Sequence, residues 1–186
     1  MIYIRASSAE AGTFLYSTLE TTAPVTDFQA LGLDPGLLDG LQAMGIRTPT
    51  PIQAQAIPAV MDGRDLIACA QTGTGKTAAF LLPLIEVIFG YKPKVESSVR
   101  ALIVVPTREL ALQIDQQMQA IAYFTPITSM PVYGGSDGAS FDQQKAALSG
   151  GTEVIVATPG KLLSHLNLGY VSIEGRSSSC WMRRTG

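Results

Sequence analysis

The sequence predicts an α/β protein with a doubly wound, mainly parallel sheet that carries helices on both faces. Four short runs rich in isoleucine and valine are separated by longer amphipathic stretches, and each run ends at turn-forming residues. Strand and helix alternate along the chain, which favours right-handed crossovers between parallel strands. Functional loops are therefore expected where the strands end, at the carboxyl edge of the sheet.

Each element has its own signal in the sequence. The buried strands are predicted from their short apolar runs, at residues 65–70, 101–106, 129–134 and 153–159. The helices are predicted from their longer amphipathic stretches, at residues 76–88, 107–123, 139–149 and 160–168. Two further helices are expected upstream, at 33–45 and 51–63, and each is stopped by glycine.

Composition narrows the class of protein. With 186 residues, 46% of them hydrophobic and 15% charged, the chain is expected to bury one sizeable core. A net charge of −2 argues against a protein that holds nucleic acid by a strong positive field. The two cysteines have no metal-ligand spacing, which favours a reducing, cytoplasmic setting. Residues 1–26 have no apolar run long enough for a signal peptide or membrane span and are expected to be a loosely ordered leader.

The stretch AQTGTGKT, residues 70–77, follows a predicted strand and opens a predicted helix, as a phosphate-binding loop does. Its glycines allow successive backbone N–H groups to surround an anion at the start of the helix. Ala70 stands where the usual loop has its leading glycine, and a plain glycine-rich turn is the alternative. The predicted nucleotide-binding residues are Gln71, Thr72, Gly73, Thr74, Gly75, Lys76 and Thr77. Lys76 is expected to reach the β- and γ-phosphates, and Thr77 to offer its hydroxyl to Mg²⁺, which makes both candidate catalytic residues.

Four further motifs make the chain recognisable. GIRTPTPIQ (45–53), PTRELA (106–111), the glycine pair 134–135 and TPGK (158–161) occur with AQTGTGKT in the order and spacing of a DEAD-box helicase. From about residue 28 to about residue 173 the chain resembles the amino-terminal RecA-like lobe of a DEAD-box ATP-dependent RNA helicase. The resemblance implies a RecA-like P-loop domain over 27–174, with ATP or ADP, Mg²⁺ and RNA as ligands.

Adenine recognition is predicted from Gln53. Its side-chain amide carries both an acceptor and donors, so it can pair with the amino group and a ring nitrogen of adenine, which a guanine edge does not match. The resemblance implies that Phe28 stacks on the base and that Ile46 lies near it. For Phe28, an ordinary core aromatic is the alternative.

RNA contacts are implied for the three motifs that follow the later strands. In the resembled family these segments hold the sugar-phosphate backbone of one strand, so sequence-independent binding is expected. Lys161 stands where the family has arginine, which keeps the charge but loses the bidentate fork and weakens the contact. Glu109 is interpreted as a helix-start charge, and a plain turn is the alternative for the glycine pair. The predicted RNA-binding residues are Pro106, Thr107, Arg108, Gly134, Gly135, Thr158, Pro159, Gly160 and Lys161.

No Asp-Glu-Ala-Asp sequence occurs in the 186 residues, and neither does the Ser-Ala-Thr motif or the second lobe of the family. We therefore expect this chain to bind nucleotide without hydrolysing it or unwinding RNA, because few groups remain to stabilise the charge of phosphoryl transfer. A non-catalytic nucleotide- or RNA-binding module is the alternative. An unrelated P-loop kinase or GTPase is disfavoured, because it accounts for neither PTRELA nor TPGK.

Residues 175–186 break the composition of the chain with a serine run, a tryptophan and paired arginines. Codons exist for this segment whose shifted frame encodes an apolar run followed by Asp-Glu-Ala-Asp, so we interpret it as an aberrant, frame-shifted tail that is mobile. If the last strand is missing, part of the sheet is uncovered and self-association is expected. The single histidine, His165, has no metal-ligand partner at close spacing and is predicted to be structural or exposed.

Overall fold

The computed structural model describes residues 2–5, 27–68, 73–90, 99–135, 138–171 and 178–182, the first and last of these ranges as backbone only. Six strands form one sheet. In chain order they are β1 (Ile2–Arg5), β2 (Leu66–Ala68), β3 (Ala101–Val104), β4 (Ser129–Val132), β5 (Val154–Ala157) and β6 (Ser178–Met182). Their order across the sheet is β2-β1-β6-β3-β5-β4.

The sheet is mainly parallel. Strands β6, β3, β5 and β4 pair parallel to one another in that order. Strand β1 pairs antiparallel with both β2 and β6, so β2 runs in the same direction as the parallel strands. The carboxyl ends of β2, β3, β4 and β5 therefore lie at the same edge of the sheet, as the sequence predicted for the functional loops.

Every predicted helix is present, with bounds that differ by a few residues. The helices are α1 (Pro35–Ala43), α2 (Pro51–Met61), α3 (Lys76–Gly90), α4 (Arg108–Ile121), α5 (Gly138–Ala146) and α6 (Pro159–Asn167). A short 3-10 turn, Gln29–Leu31, precedes α1. The helix that was expected to reach residue 149 ends earlier as an α-helix, because a π-helical turn at Ala147–Gly151 follows it and contains Gly150 at φ 113°.

The strands bury side chains on both faces, which explains their continuous apolar runs. On one face, Ala101, Ile103, Val154 and Val156 belong to the larger core, which also takes side chains from α1 to α4. On the other face, the alternate strand residues Leu102, Val104, Ile155 and Ala157 pack in a second core with Leu162 of α6. The period of two along each strand thus separates the two cores, and the doubly wound α/β prediction is confirmed.

Two strands of the sheet come from segments that were not predicted as strands. Residues 178–182, expected in a mobile tail, form β6 between β1 and β3, and residues 2–5 of the expected leader form β1. The bounds of the leader and of the aberrant tail, and the mobility expected for them, stay predictions. Unpaired backbone groups along a strand edge can pair with an extended segment whatever its side chains, so composition did not reveal this pairing. The rest of both segments lies outside the described residues.

Among the described helices, none combines the length and apolar character that crossing a membrane requires.

Candidate nucleotide and nucleic-acid sites

Four of the motifs singled out in the sequence follow strands at one edge of the sheet. The loop before α3 follows β2, PTRELA follows β3, the glycine pair follows β4 and TPGK follows β5. Strands β3, β5 and β4 are neighbours, so the last three motifs are grouped. Strand β2 is separated from β3 by two strands. At the usual spacing between strands, the predicted phosphate-binding loop therefore lies about 14 Å from PTRELA, measured across the sheet.

The described part of the predicted phosphate-binding loop has the backbone that its glycines permit. Gly73 and Gly75 lie at φ 83° and φ 81°, in the left-handed region that other residues rarely adopt. Helix α3 then begins at Lys76. The N–H groups in the first turn of a helix point out of its N-terminal end, which carries partial positive charge, so this geometry suits a phosphate. Gln71 and Thr72 lie outside the described residues.

Gln53 joins α2 to this loop. Its side chain is 3% exposed, and its Nε2 donates a hydrogen bond to the Gly75 carbonyl oxygen over 3.1 Å. Its Oε1 accepts the backbone N–H of Thr50 over 2.9 Å, as the third residue of a helix does in a capping box. A Cβ on Gly75 would lie 2.5 Å from Gln53 Nε2, so only glycine allows this approach. One N–H and one lone pair of the amide are not used by these two bonds, and adenine recognition through them stays a prediction.

The two residues expected beside the base lie in or against the larger core. Phe28 is 3% exposed and belongs to that core, as expected for the alternative interpretation, an ordinary core aromatic. Ile46 is half-buried against the same core, and its N–H donates to the Leu41 carbonyl over 2.9 Å. Stacking of Phe28 on a base would require its ring to become accessible, so this role stays a prediction.

The three segments predicted to contact RNA are in mutual contact. The Arg108 guanidinium lies 4.7 Å from the centre of the Tyr133 ring, directly before the glycine pair. A Cβ on Gly135 would lie 3.7 Å from Arg108 Nη1. The Thr158 N–H donates to the Val132 carbonyl over 2.9 Å, which fixes the start of TPGK against the end of β4. The structure therefore groups PTRELA, the glycine pair and TPGK at one edge.

Exposure and capping at this edge suit contacts with an extended ligand. Thr107 begins α4 by accepting the Leu110 N–H at its Oγ1 over 3.3 Å. Lys161 is half-buried, and its Nζ lies 4.6 Å from the centre of the Phe141 ring. The remaining predicted RNA-contacting residues that are exposed to solvent are Pro106, Arg108, Gly134, Gly135, Pro159 and Gly160.

Comparison with known sequences settles the family. The sequence model of the DEAD/DEAH box helicase family matches residues 50–178, more than half of the chain. This chain belongs to the DEAD/DEAH box helicase family. Its fold is accordingly the RecA-like domain of these helicases, and the resemblance found in the sequence is confirmed.

Several curated helicases are similar to this chain. The DEAD-box ATP-dependent RNA helicase CshA of Bacillus cereus is 42% identical over 143 residues, which cover 77% of this chain and 26% of that protein. The probable ATP-dependent RNA helicase DDX27 of Mus musculus is 45% identical over 140 residues, covering 75% of this chain and 18% of that protein. CshA of Geobacillus kaustophilus is 42% identical over 151 residues, which cover 81% of this chain and 31% of that protein. The chain thus spans about a third or less of the length of these relatives.

The helicase domain also contains a polar cluster that the sequence did not reveal. His165 is fully buried, and its Nε2 lies 3.2 Å from the Oε1 of Gln144, which is 21 residues earlier in the chain. Its Nδ1 pairs with the Tyr170 hydroxyl, and its ring stacks on Phe141 with centres 4.9 Å apart. The structural reading of His165 is thus the one that the geometry supports. No local pattern in the sequence links it to Gln144.

Burial lowers the pKa of His165 below its ordinary value, and the positive charge of Lys161 lowers it further. The neutral imidazole is therefore the favoured form at neutral pH. In the part of the chain that the structure describes, no group of three or more histidine, cysteine or acidic side chains could hold a metal ion. A role of Thr77 with Mg²⁺ stays a prediction.

Proposed function

We propose that this domain is the ATP- and ADP-binding, RNA-backbone-contacting lobe of an ATP-dependent RNA helicase. The observation that carries the proposal is the hydrogen bond from Gln53 to the Gly75 carbonyl. This bond joins Gln53, the residue expected to recognise adenine, to the loop expected to hold the phosphates. A single nucleotide can therefore contact both. Membership of the helicase family supports the same function.

The nucleotide's phosphates would be held by backbone N–H groups of residues 71–75 and by Lys76. Mg²⁺ bound with the nucleotide would neutralise phosphate charge, and Thr77, the second residue of α3, would hold it through its hydroxyl. Gln53 would discriminate adenine from guanine through the amide donor and acceptor capacity that its present hydrogen bonds leave over.

RNA would bind along the group of loops after β3, β4 and β5. Exposed backbone at the glycine pair, the start of α4 and α6, and the cations Arg108 and Lys161 all suit phosphate groups. Because these contacts reach the sugar-phosphate backbone and not base edges, binding would be independent of sequence. The local placement of the cations explains how a chain of net charge −2 can bind RNA.

A polypeptide of these 186 residues is proposed to bind nucleotide without turning it over. The sequence contains no Asp-Glu-Ala-Asp motif, so of the family's groups for phosphoryl transfer only the phosphate-binding loop and Lys76 are available. A non-catalytic binding module is the second reading. Addition of a separately produced second lobe distinguishes them, because restored ATP hydrolysis would favour an incomplete enzyme. Docking of that lobe, self-association and a cytoplasmic location stay predictions.

The base preference is tested by calorimetric titration of the chain with ADP and with GDP in the presence of Mg²⁺. We expect ADP to bind and GDP to remain silent. Gln53→Ala is expected to weaken ADP binding at least about tenfold, because it removes the adenine contact and the support of Gly75 together. Gln55→Ala, at an exposed position on the same helix, is the matched control and is expected to bind like the wild type. Equal affinity for both nucleotides would contradict adenine recognition.

Lys161→Arg is expected to tighten RNA binding about threefold, because a guanidinium contacts a phosphate through two parallel hydrogen bonds and an ammonium does not. The measurement is fluorescence anisotropy of a labelled uridine oligonucleotide, repeated with an oligonucleotide of mixed sequence. Arg64→Lys is the control, because Arg64 precedes β2 and lies at the opposite edge of the sheet. An unchanged affinity in Lys161→Arg would argue against a phosphate contact at this position.

A further inference from the structure

A chain of side chains connects two neighbouring segments of the proposed RNA-binding edge, the glycine pair after β4 and helix α6 after β5. Gln144 on α5 donates from its Nε2 to the Tyr133 carbonyl over 3.3 Å, and that carbonyl belongs to the residue before the glycine pair. At its other end, Gln144 Oε1 contacts His165 on α6, the helix that carries TPGK. We propose that Gln144 and His165 are positioning residues that hold the glycine pair and the start of α6 in the relative arrangement that RNA requires. This inference rests on the proposed RNA contact.

The direction of the hydrogen bonds follows from Gln144. Its Nε2 donates to the Tyr133 carbonyl, so its Oε1 is the acceptor and His165 Nε2 carries the hydrogen. His165 Nδ1 then accepts from the Tyr170 hydroxyl. Neutral histidine with its proton on Nε2 satisfies every partner, which is consistent with its lowered pKa. Substitution of either residue by a hydrocarbon leaves a buried polar group unpaired.

The same cluster reaches the two cations of the edge. Lys161 and His165 are four residues apart on α6, so they share one face of the helix. The Lys161 Nζ lies over Phe141, and Phe141 stacks on His165. At the other end, Arg108 lies over the Tyr133 ring, whose backbone carbonyl receives the Gln144 bond. A shift of Gln144 or His165 would therefore displace both cations.

The backbone at the glycine pair explains why such support matters. Gly134 and Gly135 are exposed and bring no side chain of their own to fix the loop. Hydrogen bonds reach the residues just before them from the Thr158 N–H, to the Val132 carbonyl, and from Gln144, to the Tyr133 carbonyl. Loss of the second leaves the loop held by one bond fewer, and ordering it upon RNA binding then costs more conformational entropy.

The first experiment measures the affinity of a labelled uridine oligonucleotide for the full chain and its variants. His165→Phe keeps an aromatic ring against Phe141 and removes both hydrogen bonds, and Gln144→Leu removes the bond to Tyr133. Each is expected to weaken RNA binding about five- to tenfold, and the double variant to be little weaker than either, because the two residues act as one unit. His165→Gln restores an N–H group towards Gln144 and is expected to recover most of the affinity. ADP affinity is expected to stay unchanged in all of them.

A second measurement needs no variant of the network, because His165 is the single histidine of the chain. Its pKa can therefore be followed by NMR without ambiguity. The charged and titratable side chains around it are Lys161 on α6, Lys145 on α5 over the Tyr170 ring, and Tyr170 itself. A phosphate bound at Lys161 offsets the positive charge that lowers the pKa of His165, so RNA is expected to raise that pKa. The rise is expected to vanish in Lys161→Gln.

The outcomes separate the two proposals. If Arg108→Gln weakens RNA binding while His165→Phe and Gln144→Leu bind as tightly as the wild type, positioning by this pair is wrong and the RNA contact stands. If Arg108→Gln and Lys161→Gln also leave binding unchanged, the RNA contact at this edge is wrong and the positioning role falls with it. A pKa of His165 that RNA does not move would count against a phosphate contact at Lys161, on which the positioning role depends, even where the variants fail to fold.

Discussion

Lys76→Ala is expected to weaken ADP binding by about 100-fold or more. The phosphate-binding loop presents Lys76 as the first residue of α3, directly after Gly75 at φ 81°. A lysine at the positive end of a helix makes charge-assisted hydrogen bonds to phosphate, worth about 1.5–3 kcal/mol each. Loss of that interaction corresponds to about 2.7 kcal/mol of binding free energy for a 100-fold change.

The measurement is calorimetric titration with ADP and Mg²⁺, and Lys145→Ala is the matched control. Lys145 lies on α5, whose neighbouring strand β4 is at the opposite end of the sheet from β2, so its removal is expected to leave ADP affinity unchanged. RNA binding by Lys76→Ala is expected to persist, because PTRELA, the glycine pair and TPGK lie away from this loop. A Kd for ADP within about threefold of the wild type would contradict the assignment of residues 70–77 as a phosphate-binding loop.

Gly40→Ala is expected to lower the free energy of unfolding by about 3 kcal/mol. Gly40 is buried on α1, and a Cβ at this position would lie 2.3 Å from the Ile121 carbonyl oxygen at the end of α4. The obstructing atom belongs to backbone, so it cannot rotate away as a side chain would. One turn earlier, a Cβ on Gly36 would lie 2.7 Å from the Phe124 carbonyl oxygen. The two helices approach so closely only because α1 carries glycine on this face.

The loss of stability expected for Gly40→Ala is opposite in sign to the usual effect of this substitution in a helix. Replacement of glycine by alanine inside a helix normally stabilises it by about 1 kcal/mol. Gly90→Ala, at the last residue of α3, places a Cβ where no atom of the other described residues outside the helix backbone lies within 4 Å, and it is expected to be neutral or slightly stabilising. Urea unfolding of both variants supplies the comparison. A Gly40→Ala variant as stable as the wild type would show that α1 and α4 can separate at little cost.

The elements and the family could be predicted because their signals are local. The apolar run at 101–104 and the helix start at Lys76 depend on neighbouring residues, and both occur where expected. The sequence placed PTRELA, the glycine pair and TPGK at the carboxyl ends of strands, and the structure brings them together through contacts of Arg108 and Thr158. The sequence predicted one role for Gln53, the recognition of adenine by its side-chain amide. It did not predict that the same amide donates a hydrogen bond to the Gly75 carbonyl.

The sequence by itself determined the alternation of strands and helices, the left-handed glycines Gly73 and Gly75 before α3 and, through the order of several short motifs, the helicase family, since each of these signals lies within a short stretch of chain. Tertiary structure alone decided that Phe28 is buried, that His165 and Gln144 pair, and that residues 2–5 and 178–182 enter the sheet. These contacts join residues far apart in sequence, 21 residues for His165 and Gln144. Such pairings depend on packing and on which backbone groups remain unpaired, which no local pattern encodes.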